Sequence, residues 1–342
     1  MADQDIEDIA GLGTYLEANI TGFSNLNRAE KFSDGQSNPT YRLYAASGEY
    51  VLRAKPPGKL LKSAHQVDRE FRVMAALGDT RVPVPKMLHL SDEDNPLDRQ
   101  FFVMEFLDGR IFWDPALPES NNDERGAIYD AMNGTLAKLH DVDVAAAGLS
   151  DFGHPGNYFA RQTDRWIKQY KSSALSENND MDRLMDWLVD NMPGDDGVVA
   201  LVHGDYRLDN MIFAKDRTDV IAVLDWELST LGHPLADLAY QCMQWRLPYK
   251  AGMRGLGGID RAEIGIPTEA DYVARYCARR GIDQIKNWHF FLAFCFFRLA
   301  AILQGVVRRA HDGNASNPER ARQMAQAIPV LASMANGMIK KD

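Results

Sequence analysis

Asp205, Asn210 and Asp225 are the residues from which chemistry can be built. They stand in His203-Gly204-Asp205-Tyr206-Arg207-Leu208-Asp209-Asn210 and in Val223-Leu224-Asp225-Trp226, so an Asp is followed by an Asn after five residues and by a second Asp after twenty. All three offer oxygen donors. Mg²⁺ takes such donors in small number, one or two carboxylates or amides, and fills its octahedron with phosphate and water. Phosphoryl transfer asks the protein for an oriented hydroxyl nucleophile and for neutralisation of phosphate charge. Asp205 suits the first task as catalytic base, and Asn210 with Asp225 suits the second as metal ligands. A metal hydrolase built on His203 and Asp205 is the rival chemistry, but it needs further His ligands that the motif does not supply. His203 reads as a structural hydrogen-bonder.

An Asp-x₄-Asn pair in a loop is often no more than a turn pair, so the flanking elements decide. Val198-Val199-Ala200-Leu201-Val202 reads as a buried strand entering the motif. Met211-Ile212-Phe213 leaves it as a short strand. After the turn Asp216-Arg217-Thr218-Asp219, Val220 to Leu224 forms another strand that delivers Asp225. A hairpin of this kind brings Asn210 and Asp225 to one end.

Upstream, residues near 29–55 suggest a small antiparallel sheet, with Tyr41–Tyr44 and Tyr50–Arg53 as strands around a turn containing Gly48. The preceding loop, Phe32 to Pro39, is small and polar. Its Ser37 and Asn38 are candidates to approach a phosphate through backbone N–H groups. A helix is expected from Ser63, capped with Gln66 three residues on, to the residue before Gly78. Its stripe Val67, Phe71, Met74, Leu77 encloses Glu70. A carboxylate pointing inward needs a cation, and Arg53 is the expected partner, with Lys55 as the alternative. Gln100 to Phe106 reads as a buried strand halted by Leu107-Asp108-Gly109.

Beyond Gly109 the chain turns helical, near 124–139, 160–171, 180–192, 235–246, 268–280, 287–310 and 319–338. Trp288 to Val307 is apolar enough to suggest a membrane span. Arg298 at its centre argues instead for a buried core helix in which that arginine finds a carboxylate or carbonyl. The glycine-rich stretch from Leu247 to Pro267 reads as a mobile lid or plain flexible loop.

At 342 residues, 45% hydrophobic and 25% charged, the chain can bury a large core. A formal charge of −10 argues against nucleic acid and anionic membranes as partners. Three widely spaced cysteines suit a reducing compartment. With an acidic start unlike a signal peptide, the expected location is cytoplasmic.

With these residues in hand, the chain resembles the aminoglycoside phosphotransferase and choline kinase superfamily. Within it, the chain is most similar to the kinase-like domains associated with acyl-CoA dehydrogenases. The resemblance is carried by Gly35 to Tyr41, Val51 to Gly58, Asp68 to Val73, Val202 to Asn210, Leu224 to Glu227 and Gly232 to Tyr240. It implies an α+β, protein-kinase-like bilobed fold: a nucleotide-binding lobe over 1–106 and a larger, mainly helical catalytic and substrate-binding lobe over 107–342. It implies ATP or GTP and Mg²⁺ as cofactors and a small-molecule hydroxyl as acceptor. Arg53 and Glu70 would order the phosphates, Glu105, Phe106 and Leu107 would meet the base, and Asp237 would brace the catalytic loop. Trp226-Glu227 stands where protein kinases carry Phe-Gly, so no protein-kinase activation switch is expected. Arg161, Arg165, Arg246 and Glu227 are the candidate acceptor residues; aminoglycosides are polycations, whereas the three arginines suit a hydroxyacyl-CoA or hydroxy acid. A functional link to an acyl-CoA dehydrogenase is expected on the same ground. A regulatory module that binds nucleotide without turnover is the alternative reading.

Overall fold

The computed structural model describes residues 6–32, 38–57, 66–249, 254–313 and 318–339. The chain separates into two compact units. The first comprises Met1–Phe112, Val144–Leu149 and Leu208–Ser229, and the second comprises Trp113–Asp143, Ser150–Arg207 and Thr230–Asp342. The sequence reading divides the chain once, after Phe106. The contacts return the 208–229 hairpin to the first unit.

The first unit is built on a five-stranded antiparallel sheet. Its strands are β1 (Leu26–Lys31), β2 (Thr40–Ala45), β3 (Gly48–Ala54), β4 (Met87–Leu90) and β5 (Phe101–Glu105), in the order β1-β2-β3-β5-β4. Side chains alternate across a strand, so register decides which face each residue serves. Tyr41 pairs with Leu52, and these two, with Leu43, Ala54, Phe101 and Val103, form one face. Helix α1 (Ile9–Asn19) covers that face with Leu12 and Leu16. Thr40 pairs with Arg53, and Arg53 with Phe102, so Arg53 stands on the opposite face. Helix α2 (Val67–Leu77) lies on that side, with Phe71 6.3 Å from Phe102 between ring centroids. The cap expected at Ser63 lies outside the described residues, as do Ser37, the acidic start through Asp5, and 250–253 of the glycine-rich stretch. Gln66 is the N-cap position of the described helix and makes no side-chain cap bond.

A second small sheet completes this unit: β7 (Met211–Phe213) against β8 (Val220–Val223), antiparallel, with Met211 opposite Val223. A separate two-stranded sheet, β6 (Ala200–Val202) against β9 (Thr230–Gly232), belongs to the second unit.

The second unit is helical: α3 (Asn122–His140), α4 (Tyr158–Ser173), α5 (Asn179–Asp190), α6 (Leu235–Met243), α7 (Glu269–Arg280), α8 (Trp288–His311), α9 (Pro318–Ala325) and α10 (Ala327–Ile339). α8 packs against α4, α5, α6, α9 and α10. Its richest window reaches a mean hydropathy of 2.1, yet 72% of that window is buried inside the protein. Arg298 is buried with it and donates from Nη2 to the Gly204 carbonyl at 2.7 Å. The expectation of one helix over 319–338 gives way to two. Pro329 explains the break at Gln326, since its ring opposes the carbonyl four residues back and it has no N–H to donate.

Within 247–267, expected as a mobile lid or plain flexible loop, the stretch around Leu256 is packed against the chain. Leu256 is fully buried, its N–H donates to Gln244 O at 2.8 Å, and Gly257 N donates to Leu247 O at 2.8 Å. A Cβ on Gly255 would lie 1.8 Å from Leu247 O. Gly255, Gly257 and Gly265 permit close backbone approach. Cys242, Cys277 and Cys295 are free and buried, and burial raises all three thiols above their ordinary value.

Candidate active site

In the first unit, one guanidinium gathers three carboxylates. Arg53 Nε lies 2.9 Å from Glu70 Oε2, and Arg53 Nη2 lies 2.7 Å from Asp225 Oδ1 and 3.9 Å from Glu227 Oε2. Glu70 is 1% exposed, and Asn38 Nδ2 donates to its Oε1 at 2.9 Å. Burial works against the charge on Arg53, but Glu70, Asp225 and Glu227 outweigh it and its pKa rises. Glu70 moves the other way in charge. Burial, with Asp225 and Glu227 adding to it, overcomes the pull of Arg53 and raises its carboxyl to about 7.

That shift has a measurable consequence. The folded protein keeps the Glu70 proton to higher pH than the unfolded chain, whose ordinary value is 4.5. This group therefore favours folding most below that value, loses the advantage as pH climbs to about 7, and is flat above. The span amounts to at most about 3 kcal/mol. In Glu70→Gln, the stability difference between about pH 5 and about pH 8, read from urea unfolding, is expected to shrink. An undiminished difference would remove Glu70 as its source.

The β7–β8 hairpin does what its sequence predicts. Asn210 ends a short 3-10 turn (Leu208–Asn210) and its carbonyl accepts from Leu224 N at 2.8 Å, one residue before Asp225. Asp225 adopts φ 64, a left-handed conformation that Asp tolerates better than most residues. Buried Trp226 anchors the turn beyond it, its Nε1 donating to Val223 O at 2.9 Å. Asn210 and Asp225 are thus neighbours at the open end of one hairpin.

Of the other residues expected to serve the nucleotide, Lys55 sits 3.9 Å from Glu93 rather than beside Glu70. Glu105 exchanges backbone bonds with Lys86, its N donating to Lys86 O at 3.0 Å and its Oε1 accepting from Lys86 N at 2.7 Å. Phe106 lies under Arg42, whose guanidinium carbon is 3.9 Å from the ring centroid. Leu107 follows at the strand end and is half-buried.

The second unit holds Asp205. Gly204, at φ 84, turns the chain sharply before it. Asp237 Oδ2 accepts from His203 N at 2.6 Å and Asp237 Oδ1 from Gly204 N at 2.8 Å. His140 Nε2 lies 3.3 Å from Asp237 Oδ2, and His140 Nδ1 lies 2.6 Å from the Tyr276 hydroxyl. Burial lowers the His140 pKa, so the ring is neutral. Nε2 then carries the proton toward the carboxylate, and Nδ1 accepts from Tyr276. Burial alone would raise Asp237, but the bonds from His140 and His203 N prevail and hold it below the ordinary value. His203 is fully buried and its Nδ1 accepts from Asp205 N at 3.2 Å, the structural role its sequence suggests. The Tyr206 hydroxyl pins the loop to Met132 O at 2.7 Å. The Asp205 side chain keeps 24% exposure.

The arginines read as acceptor ligands are mostly engaged. Arg246 forms a two-pronged pair with Glu269 at 2.7 and 2.8 Å. Arg161 donates to the carbonyls of His154 and Pro155. Arg165 remains exposed beside Trp166.

Among the described residues, no three or more His, Cys, Asp or Glu side chains group as a metal nest. Mg²⁺ does not need one, and the donors Asn210 and Asp225 are of the kind it takes. Three carboxylates against one guanidinium also leave an excess of negative charge that a cation would offset. Two further residues bear on the catalytic loop: Tyr240, to which the sequence assigns no role, and Arg298, which the sequence places in a buried helix without naming its partner.

These features define a kinase-like phosphotransferase of mixed α+β build. The chain belongs to the phosphotransferase enzyme family, whose model matches residues 28–272. A Ralstonia eutropha structure assigned as an aminoglycoside phosphotransferase is 45% identical, with a TM-score of 0.88 over 97% of this chain and 98% of its own. Acyl-CoA dehydrogenase family member 10 of Mus musculus is 45% identical over 306 residues, covering 89% of this chain but 28% of the relative. The chain therefore spans less than a third of that relative's length. A spectinomycin phosphotransferase solved with ADP and spectinomycin shares the fold, at 11% identity and a TM-score of 0.64 over 96% of this chain and 98% of its own.

Proposed function

We propose that this protein is a Mg²⁺-dependent kinase that moves the γ-phosphoryl group of ATP or GTP to the hydroxyl of a small molecule. The observation that carries the reading is the hairpin that makes Asn210 and Asp225 neighbours, with Asp225 held by the Arg53–Glu70 pair. Asp205 lies five residues before Asn210. The intervening chain cannot span more than about 18 Å even fully extended, so base and ligands are tethered.

In this reading the acceptor oxygen attacks the γ-phosphorus as the bond to the β–γ bridging oxygen breaks. The acceptor proton passes to Asp205, and the nucleoside diphosphate leaves with the bridging oxygen. Mg²⁺ held by Asn210 and Asp225 would neutralise charge on the phosphate oxygens. Arg53, kept cationic by its three carboxylates, would face the phosphates. Glu70 fixes where that guanidinium points.

The acceptor class we favour is a hydroxyacyl-CoA or hydroxy acid. Its support is the similarity to the mouse acyl-CoA dehydrogenase family member and the exposed Arg165. The engagement of Arg246 with Glu269 weighs against Arg246 as a ligand. A reducing, cytoplasmic setting is part of the proposal, in keeping with three unpaired, buried cysteines.

Thermal melting tests the nucleotide step. MgATP or MgGTP at a hundredfold excess over Kd should stabilise the protein by about 2.7 kcal/mol, and EDTA should abolish most of the gain. Equal stabilisation with and without Mg²⁺ would overturn the metal assignment. A screen of hydroxyacyl-CoAs, hydroxy acids, aminoglycosides, choline and sugars for acceptor-dependent ADP release then identifies the substrate.

A further inference from the structure

Gly204 is held at both ends. Its N–H donates to Asp237 Oδ1 at 2.8 Å, and its carbonyl accepts from Arg298 Nη2 at 2.7 Å. The next residue is Asp205, whose carboxylate interacts electrostatically with the Tyr240 hydroxyl. Asp237 and Tyr240 both lie on α6, three residues apart and therefore on one side of the helix. A single helical turn thus holds the backbone before the base through Asp237 and presents the Tyr240 hydroxyl to the base. Arg298 reaches in from α8 and lies over the Tyr240 ring, 5.4 Å from its centroid, and over Trp166 at 5.8 Å. Tyr240 and Arg298 are each 7% exposed.

The chemistry of this arrangement is specific. A guanidinium inside an apolar helix is costly unless it is bonded, and here its hydrogen bond goes to the catalytic loop. Burial above all, then the charge and bond of Asp205, raises the Tyr240 hydroxyl far above its ordinary value. It therefore keeps its proton at neutral pH and is available as a donor. One donor on the carboxylate fixes its rotation and leaves acceptor capacity for a substrate hydroxyl. Holding a base in one orientation is worth rate because the reacting geometry is then already formed.

We infer that Tyr240 and Arg298 are positioning residues for Asp205, the first orienting its carboxylate and the second fixing the peptide that leads into it. The inference rests on the phosphotransferase reading and deepens it. Tyr240→Phe removes one oxygen and keeps the ring beside Arg298. With MgATP as donor and water as acceptor, kcat is expected to fall about tenfold while KM for MgATP stays within about twofold. The melting temperature should stay within about 3 °C of the parent. Arg298→Lys keeps the charge but loses the planar fork, and should give the same split between kcat and KM.

Parent turnover in both variants, with Asp205→Asn inactive in the same assay, overturns the inference and leaves the phosphotransferase reading standing. So does a loss of activity that tracks a fall in melting temperature with KM rising alongside, since that marks a merely structural role. A parent protein with neither turnover nor Mg²⁺-dependent nucleotide stabilisation sinks the reading itself, and the inference with it.

Discussion

Asp205→Asn is expected to bind Mg²⁺-nucleotide as the parent does and to lose about 10²–10⁴-fold in phosphoryl transfer. The substitution keeps the shape of the side chain, and its amide oxygen can still accept a hydrogen bond. It cannot take up the proton of an acceptor hydroxyl. Arg53, Glu70, Asn210 and Asp225 all belong to the other unit and are untouched. The check is paired: nucleotide-dependent melting for binding, and ADP release with the best acceptor for transfer. Parent-level transfer by this variant would reject Asp205 as the base.

Asp237→Ala carries the second large effect, on stability as well as on rate. The Asp237 carboxylate is 1% exposed and accepts from His203 N, Gly204 N and His140. Truncation leaves three buried donors without it, a loss on the order of 3–5 kcal/mol. The expected fall in melting temperature is roughly 6–20 °C. Its folded pKa lies below the ordinary 3.8. The stabilisation is therefore complete at neutral pH and fades only as pH drops below that value and through the folded pKa. A variant melting like the parent at neutral pH would show that the loop is held by other means.

Much of this was legible in the sequence where local pattern and chemistry coincide. The hairpin around Asp216–Asp219 followed from two short apolar runs and a polar turn. The Arg53–Glu70 pair followed from a carboxylate inside an apolar helical stripe. What escaped was set by tertiary context. Strands β4 and β9 have four and three residues and acquire strand character only from their partners. α1 contains two glycines in eleven residues and is held by an Asp8 cap and by the sheet it covers. Sequence reading saw that Arg298 needed a partner but could not name Gly204, because 94 residues separate them. Tyr240 had one usable signal, its place one turn after Asp237.

α8 has a bearing on how the protein is made. Taken alone it is a greasy cylinder that would aggregate or enter a lipid bilayer if it left the ribosome unaccompanied. Three of the helices that clothe it, α4, α5 and α6, precede it in the chain and are translated first. A docking surface can thus exist before its most adhesive segment emerges, and that segment brings with it the arginine that locks the catalytic loop.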